Sequence, residues 1–447
     1  MKKAIIASLI STILLTIFTA CQSSVDPDVK TSTTPEIQPS LTPETPIFPT
    51  APLTVGEGAT DPAIDTIIKQ YLADLSVRGY ATNNQGIWIQ TNNKLLANHQ
   101  GNKALSAASI TKVATSLVTL NKWGPDHQFI TLISTNGVIE NGVLTGDLIV
   151  QGDQDPFFVW EEAFALGNLL NEIGIQEVTG NLIITGKFYM NYESNPQLAG
   201  NLFKQAINSN LWPQEAITQY QSLSNIPRPS VKINGEVSVL STPPTNTNSN
   251  KILIKHYSFP LAELLKKMNQ YSNNLMADMF AESVGGAKVV AEEATKLTGV
   301  PTEEIQLING SGLGEENIIS PRAATALFLA LEKYLVSNNL NIADLLVVVG
   351  QDEGILDGRK SLPKNAVVKS GSLDNVSALA GALPTEKEGI IWFAILNQGP
   401  SLNEMRISQE QLLNNLLKQF PLATIAPAQL TPSASRKNLT SRSEIVK

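Results

Sequence analysis

Ala104-Leu105-Ser106-Ala107-Ala108-Ser109-Ile110-Thr111-Lys112-Val113-Ala114-Thr115-Ser116-Leu117-Val118-Thr119-Leu120 carries apolar residues at Ile110, Val113, Ala114, Leu117 and Val118. That is the i, i+3, i+4, i+7, i+8 stripe of an amphipathic helix. Ser109 stands at the helix start and Lys112 one turn on, so their side chains project together. Behind the serine lie the free N–H groups of a helix N-terminus, which favour developing negative charge. A lysine at this spacing can take the serine's proton once its pKa falls far below its ordinary value of about 10.4. The pair reads as a Ser/Lys acylation site. A capping serine followed by a solvated lysine has the same spacing, so Ser-x-x-Lys alone does not separate the two. Ser361-Leu362-Pro363-Lys364 repeats the spacing, but proline inside the turn and no apolar stripe after it discard that copy.

Composition narrows the field. With 447 residues, 42% hydrophobic and 16% charged, the chain can bury a full core in one large or two unequal domains. A net charge of −8 and no long basic run in the body of the chain argue against a nucleic-acid partner. One cysteine, Cys21, leaves no disulfide framework, and three scattered histidines offer no zinc site.

Met1-Lys2-Lys3 followed by Ala4 to Phe18 is a basic n-region and an apolar h-region, the layout of a secretory signal. Phe18-Thr19-Ala20-Cys21 resembles the lipobox of bacterial lipoproteins, with Phe where Leu, Val or Ile is usual. The resemblance implies cleavage after residue 20, lipidation of Cys21, and an exported chain held on the cell-envelope side of a membrane. Residues 21–56 are rich in Pro, Thr and Ser and read as a solvated tether reaching on the order of 100 Å at most.

The folded body is expected over 57–425, and 426–447, rich in Ser, Thr, Pro and basic residues, reads as a disordered tail. Periodicity predicts helices over 63–77, 158–173, 261–269, 321–335 and 402–420. Strands are predicted over 86–91, 94–97, 128–135, 143–151, 179–185, 366–372, 376–383 and 389–397. Gly152-Asp153-Gln154-Asp155-Pro156 reads as a plain turn, because it lacks the glycine and distal glutamate of a calcium loop. Between 190 and 250 the pattern is weak.

Two further short motifs follow the first. Ser272-x-Asn274 falls on a break between the helix over 261–269 and a second one read through Leu275, Met276, Met279 and Phe280, where side chains can face a cleft. Lys369-Ser370-Gly371 falls on a predicted strand. Ser337-Asn338-Asn339 also fits the second pattern, but at an ordinary polar helix end. Singly each motif is weak. In this order, on helix start, interhelical loop and strand, the set is specific.

The set resembles that of class A β-lactamases and penicillin-binding proteins, and within them the low-molecular-mass class C group of D-Ala-D-Ala carboxypeptidases and endopeptidases. Longer strings carry the closer likeness: Ala107 to Thr115, Gly146-Asp147-Leu148 through Asp155-Pro156, Asn309-Gly310-Ser311-Gly312-Leu313 with Asn317 and Ser320-Pro321, and Lys369 to Gly381. The resemblance covers about 60–425. It implies an α/β, penicillin-binding/β-lactamase-like fold: an antiparallel sheet flanked by helices, a helical lobe, and an inserted β-rich subdomain over about 127–255.

The same resemblance implies roles. Ser109 is the expected nucleophile and Lys112 its base, neutral through burial and a nearby cation such as Lys369. Ser272 relays a proton toward the leaving amine, and Asn274 orients Lys112 and the substrate amide. Lys369 and Ser370 hold the substrate's terminal carboxylate, and Gly371 lets substrate backbone lie against the strand. The N–H groups of Ser109 and Ser372 form an oxyanion hole, worth about 3–4 kcal/mol per donor. No cofactor or metal is called for. The expected partners are peptidoglycan stem peptides, β-lactams as covalent inhibitors, and a membrane through the lipidated N-terminus.

Asn309, Gly314 and Glu315 stand where the group commonly has Asp, Ser and Arg, so a cation for an acidic stem-peptide side chain is missing there. The expected activity is that of a serine D-Ala-D-Ala carboxypeptidase, with endopeptidase action on cross-links as an extension. The rivals are a β-lactamase, for which no Glu-x-x-x-Asn water-activating loop is evident, and a catalytically idle peptidoglycan-binding scaffold.

Overall fold

The computed structural model describes residues 55–223, 225–244 and 250–446. The expected signal segment, Cys21 and nearly all of the tether lie outside the described residues.

At the centre is an antiparallel sheet of six strands among the described residues, in the order Val347–Val348, Val367–Leu373, Val376–Thr385, Gly389–Gln398, Gln85–Gln90, Leu95–His99. Early and late chain meet at Gln85–Gln90, which pairs with Gly389–Gln398 from Gln85↔Asn397 to Gln90↔Trp392. The two longest strands read as nearly unbroken apolar runs because both of their faces are covered. On one face Leu379, Leu383, Phe393 and Ile395 meet Ile64 and Leu75 of the helix Pro62–Val77 and Met405 and Leu412 of the terminal helix Leu402–Gln419. On the other, Ala378, Ala380, Ala382 and Ala394 leave room for a helical lobe to pack closely. Small residues on that face bring the lobe's turn that holds Ser109 up to the sheet.

The lobe is built around the helix Thr111–Trp123, preceded by a 3-10 turn over Ala108–Ile110 that holds Ser109. Residues 111–120 are all buried, so the helix is not amphipathic as its stripe predicts. Its apolar side packs on Leu264, Met276, Phe280 and Leu327, and its polar side is buried by pairing. Thr115 Oγ1 donates to Gly310 O at 2.7 Å, and Asn269 Nδ2 donates to Ser116 Oγ at 3.0 Å.

Elements from Ile130 to Tyr257 form a second unit with its own core around Phe158, Phe164, Phe188 and Phe203. The stretch 143–151 is two strands, Val143–Thr145 and Leu148–Asp153, in different sheets. The chain breaks between them at Gly146, whose φ of +147° suits glycine. The weakly patterned region holds the helices Pro196–Ala206 and Gln214–Gln221. The first carried a readable start: Asn195 caps Gln197 and Leu198 N–H, with proline at the first helical position.

The expectation of a disordered 426–447 is corrected. Arg442–Ile445 adds antiparallel to Lys251–Tyr257 as the edge strand of the second unit's larger sheet. Leu430 is fully buried in the lobe core, and Arg436 pairs with Glu263 and Asp126, each at 2.6 Å. The polar composition of this segment serves those ion pairs and ladder bonds rather than solvation.

Candidate active site

Ser109, Lys112, Ser272, Asn274, Lys369 and Ser370 come from three separate stretches and meet at the junction of sheet and lobe. Lys112 Nζ lies 2.9 Å from Ser109 Oγ, 2.7 Å from Asn274 Oδ1 and 2.7 Å from Ser311 O. Lys112 is wholly buried, and that burial, with the charge of Lys369 nearby, drives its pKa well below the usual lysine value; Asp278 opposes the shift. A neutral amine has two hydrogens and one lone pair. Asn274 Oδ1 and Ser311 O can only accept, so they take the two hydrogens. The lone pair is left facing the Ser109 hydroxyl, which then donates to it. This arrangement is suited to Lys112 acting as a base on Ser109.

Lys369 Nζ donates to Ser272 Oγ and to Ser370 O, each at 3.0 Å. Its complete burial lowers its pKa to about 7. Ser272 sits at φ +53° at the end of the helix Leu261–Gln270, a left-handed position that costs energy for a residue with a Cβ. The strain breaks the chain between two helices. Asn273 then caps the next helix, Asn274–Val284, by accepting from Met276 N at 3.0 Å. Asn274, first residue of that helix, is thereby aimed at Lys112.

The turn that carries the nucleophile lies between two glycines. Ala108 adopts φ +44°, and a Cβ placed on Gly312 would fall 1.9 Å from Ala108 O. From the other side, a Cβ on Gly371 would lie 2.7 Å from Ala107 O and 2.8 Å from Ser109 N. Gly371 is needed first for the protein's own turn, a steric reason distinct from the expected approach of substrate backbone. The close approach brings the strand Val367–Leu373, with Ser372 at its partly exposed end, beside the Ser109 N–H.

Sequence reasoning did not assign roles to the residues that hold this arrangement from behind. Ser311 binds Lys112 through its backbone carbonyl, so the glycine-rich string that contains it did not reveal this contact. Asn309 Oδ1 accepts from Gly312 N at 2.8 Å and its Nδ2 donates to Leu313 O, which closes the glycine turn. Asn317 Oδ1 accepts from Ile308 N and Asn309 N, while Asn317 O accepts from Ala107 N. Asn309 and Asn317 had stood out in the sequence only as parts of a glycine-rich string. Arg406, which donates to Ser372 Oγ at 2.8 Å, lies in the terminal helix and in no motif.

The model of the D-Ala-D-Ala carboxypeptidase 3 (S13) family matches residues 67–211 and 214–419. The chain is 22% identical over 413 residues to the D-alanyl-D-alanine carboxypeptidase DacB of Haemophilus influenzae, covering 70% of this chain and 84% of that relative. Among solved structures it resembles the predatory endopeptidase Bd0816 of Bdellovibrio bacteriovorus, in complex with immunity protein Bd3460. That likeness has a TM-score of 0.64 at 21% identity, over 80% of this chain and 99% of the other. Penicillin binding protein 4 (dacB) of Haemophilus influenzae, complexed with a β-lactam, is similar with a TM-score of 0.59 at 22% identity, over 78% of this chain and 98% of the other. These likenesses show the fold to be the penicillin-binding, β-lactamase-like one. The match across most of the body, on a chain that assembles this site, places the chain in the D-Ala-D-Ala carboxypeptidase 3 (S13) family.

Proposed function

We propose that the chain is a serine-type D-Ala-D-Ala carboxypeptidase acting on peptidoglycan stem peptides. The observation that carries this is the position of Lys112 Nζ, buried, with its pKa driven down by that burial, and 2.9 Å from Ser109 Oγ. Ser109 Oγ attacks the carbonyl carbon of the penultimate D-Ala while Lys112 takes its proton. The carbonyl oxygen gains negative charge toward the N–H groups of Ser109 and Ser372. Collapse breaks the C–N bond, and terminal D-Ala leaves with a proton returned through Lys112 and Ser272. Water then attacks the ester, Lys112 again accepting a proton, and the shortened peptide departs with Ser109 restored. Lys369, Ser370 and Ser372 hold the terminal carboxylate. The likeness to a predatory endopeptidase supports extending the same steps to peptide cross-links.

The lipobox-like Phe18-Thr19-Ala20-Cys21 supports an exported, membrane-tethered protein on the periplasmic or cell-envelope side. One experiment tests both parts. Cells making the full chain are labelled with fluorescent penicillin and fractionated, beside Ser109→Ala and Cys21→Ser, while D-Ala release from a stem pentapeptide is followed. The expected result is a persistent label in the membrane fraction, lost in Ser109→Ala and moved to the soluble fraction in Cys21→Ser, with D-Ala released. A label that decays within seconds would instead identify a β-lactamase. Neither label nor release would leave an idle scaffold, and an unmoved Cys21→Ser label would remove the lipid tether.

A further inference from the structure

The terminal helix Leu402–Gln419 brings Arg406 to the outer end of the strand Val367–Leu373. Ser370 and Ser372 are two apart on that strand, so their hydroxyls share a face. Arg406 Nη2 donates to Ser372 Oγ at 2.8 Å. A guanidinium offers hydrogens only, so the hydroxyl's own hydrogen is free for an acceptor elsewhere. Ser372 is therefore set as a donor at the end of the row assigned above to the substrate carboxylate.

Arg406 is partly buried, yet among the described residues no carboxylate forms an ion pair with it. The nearest candidate on its own helix, Glu410, is engaged by Arg359, whose Nε lies 2.8 Å from Glu410 Oε1. Arg359 also donates to Arg406 O and to Gln409 Oε1. A second arginine thus occupies the neighbouring acid and fixes the turn that carries Arg406. The remaining N–H groups of Arg406 form a planar fork suited to a carboxylate. Lys369 is spoken for by Ser272 Oγ and Ser370 O, and with its pKa lowered to about 7 it supplies only part of a charge at neutral pH.

We propose that Arg406 is a specificity-determining residue that, with Ser372, reads the free α-carboxylate at the end of the stem peptide and selects it over a blocked end. This rests on the carboxypeptidase reading above. The test compares kcat/KM for a peptide ending in D-Ala-D-Ala with its C-terminal amide, in the wild type, Arg406→Gln and Arg406→Lys. Saturating fluorescent penicillin reports the nucleophile in each.

The wild type should prefer the acid. Arg406→Gln should lose about ten- to hundredfold on the acid, mainly in KM, while turnover of the amide holds. Arg406→Lys should lie between them. If Arg406→Gln does not fold, a reduced acid-to-amide ratio in Arg406→Lys supports the same assignment. Equal rates on acid and amide in the wild type, an equal loss on both substrates, or no loss in any variant would overturn it. Absence of penicillin labelling in the wild type would instead strike the underlying activity.

Discussion

Lys112 and Lys369 illustrate how single residues set the chemistry. Each is wholly buried, and each is more easily deprotonated than a lysine in water. For Lys112 the larger cause is burial and the second is the charge of Lys369. Removing that charge in Lys369→Gln must raise the Lys112 pKa, because the ammonium form no longer meets a like charge. On this reading acylation needs neutral Lys112, so its acidic limb should move to higher pH. Stopped-flow acylation by penicillin across pH measures this; an unmoved limb, or one displaced to lower pH, would mean Lys369 does not tune the base. At this scale the sequence was highly informative. Ser109, Lys112, Ser272, Asn274 and Lys369 meet through their side chains, and short spacing motifs record side chains. Ser311 meets Lys112 through a carbonyl, so its place in the glycine-rich string gave it no role, and Arg406 arrives from a helix remote in sequence and left no motif to read.

The elements around the nucleophile turn are held by contacts too close for any side chain. Gly312 combines φ +81° with a direction in which a Cβ would press into Ala108 O. Gly312→Ala should therefore displace the turn itself, lowering penicillin acylation by about a hundredfold or more and costing about 1–3 kcal/mol of stability. Gly314 gives the matched control. Its φ is +111°, but the atom an added Cβ would meet first is Glu316 Oε2, the end of a flexible side chain away from the nucleophile. Gly314→Ala should lose comparable stability, read by thermal melting, yet keep acylation. Equal acylation loss in both variants would show that strain in the loop, not pressure on Ala108, is what matters. Element boundaries were legible where periodicity was long, as in the helices near 63–77 and 402–420. The stripe of Thr111–Trp123 misled because periodicity records where apolar residues lie, not whether the polar side is exposed. Here Thr115 and Ser116 are buried and paired.

Across the whole molecule the last residues act as a clasp, which composition concealed. Leu430 enters the lobe core, and Asp344 accepts from Ser433 N and Oγ. Arg436 spans Glu263 and Asp126, which raises its pKa, and Arg442–Ile445 covers the edge of Lys251–Tyr257. Under this strand lies a buried group of acids and one histidine. Ser443 Oγ is 2.9 Å from His256 Nδ1, Ser441 Oγ donates to Glu162 Oε1 at 2.7 Å, and Asp155 stands 4.0 Å from His256 Nε2. Burial raises Asp155 and Glu162 to about 7 and lowers His256 to about 4. The two carboxyls hold protons in the folded chain that the unfolded chain releases near pH 4, so they withdraw stability as pH climbs from about 4 to 7. His256 acts in the opposite sense between about 4 and 6.5, but one histidine offsets only one of two carboxyls. This buried group therefore binds more protons in the folded chain than in the unfolded one in this window, and its contribution to stability falls as pH rises through it. Ending the chain at residue 425 removes the covering strand and both serines, admits water to the group, and exposes a sheet edge. The shortened chain should melt lower throughout, and the gap between the two melting temperatures should narrow as pH rises from 5 to 7. Calorimetry of the two chains across that range decides it: matching melting temperatures and slopes would mean the tail is neither clasp nor cover.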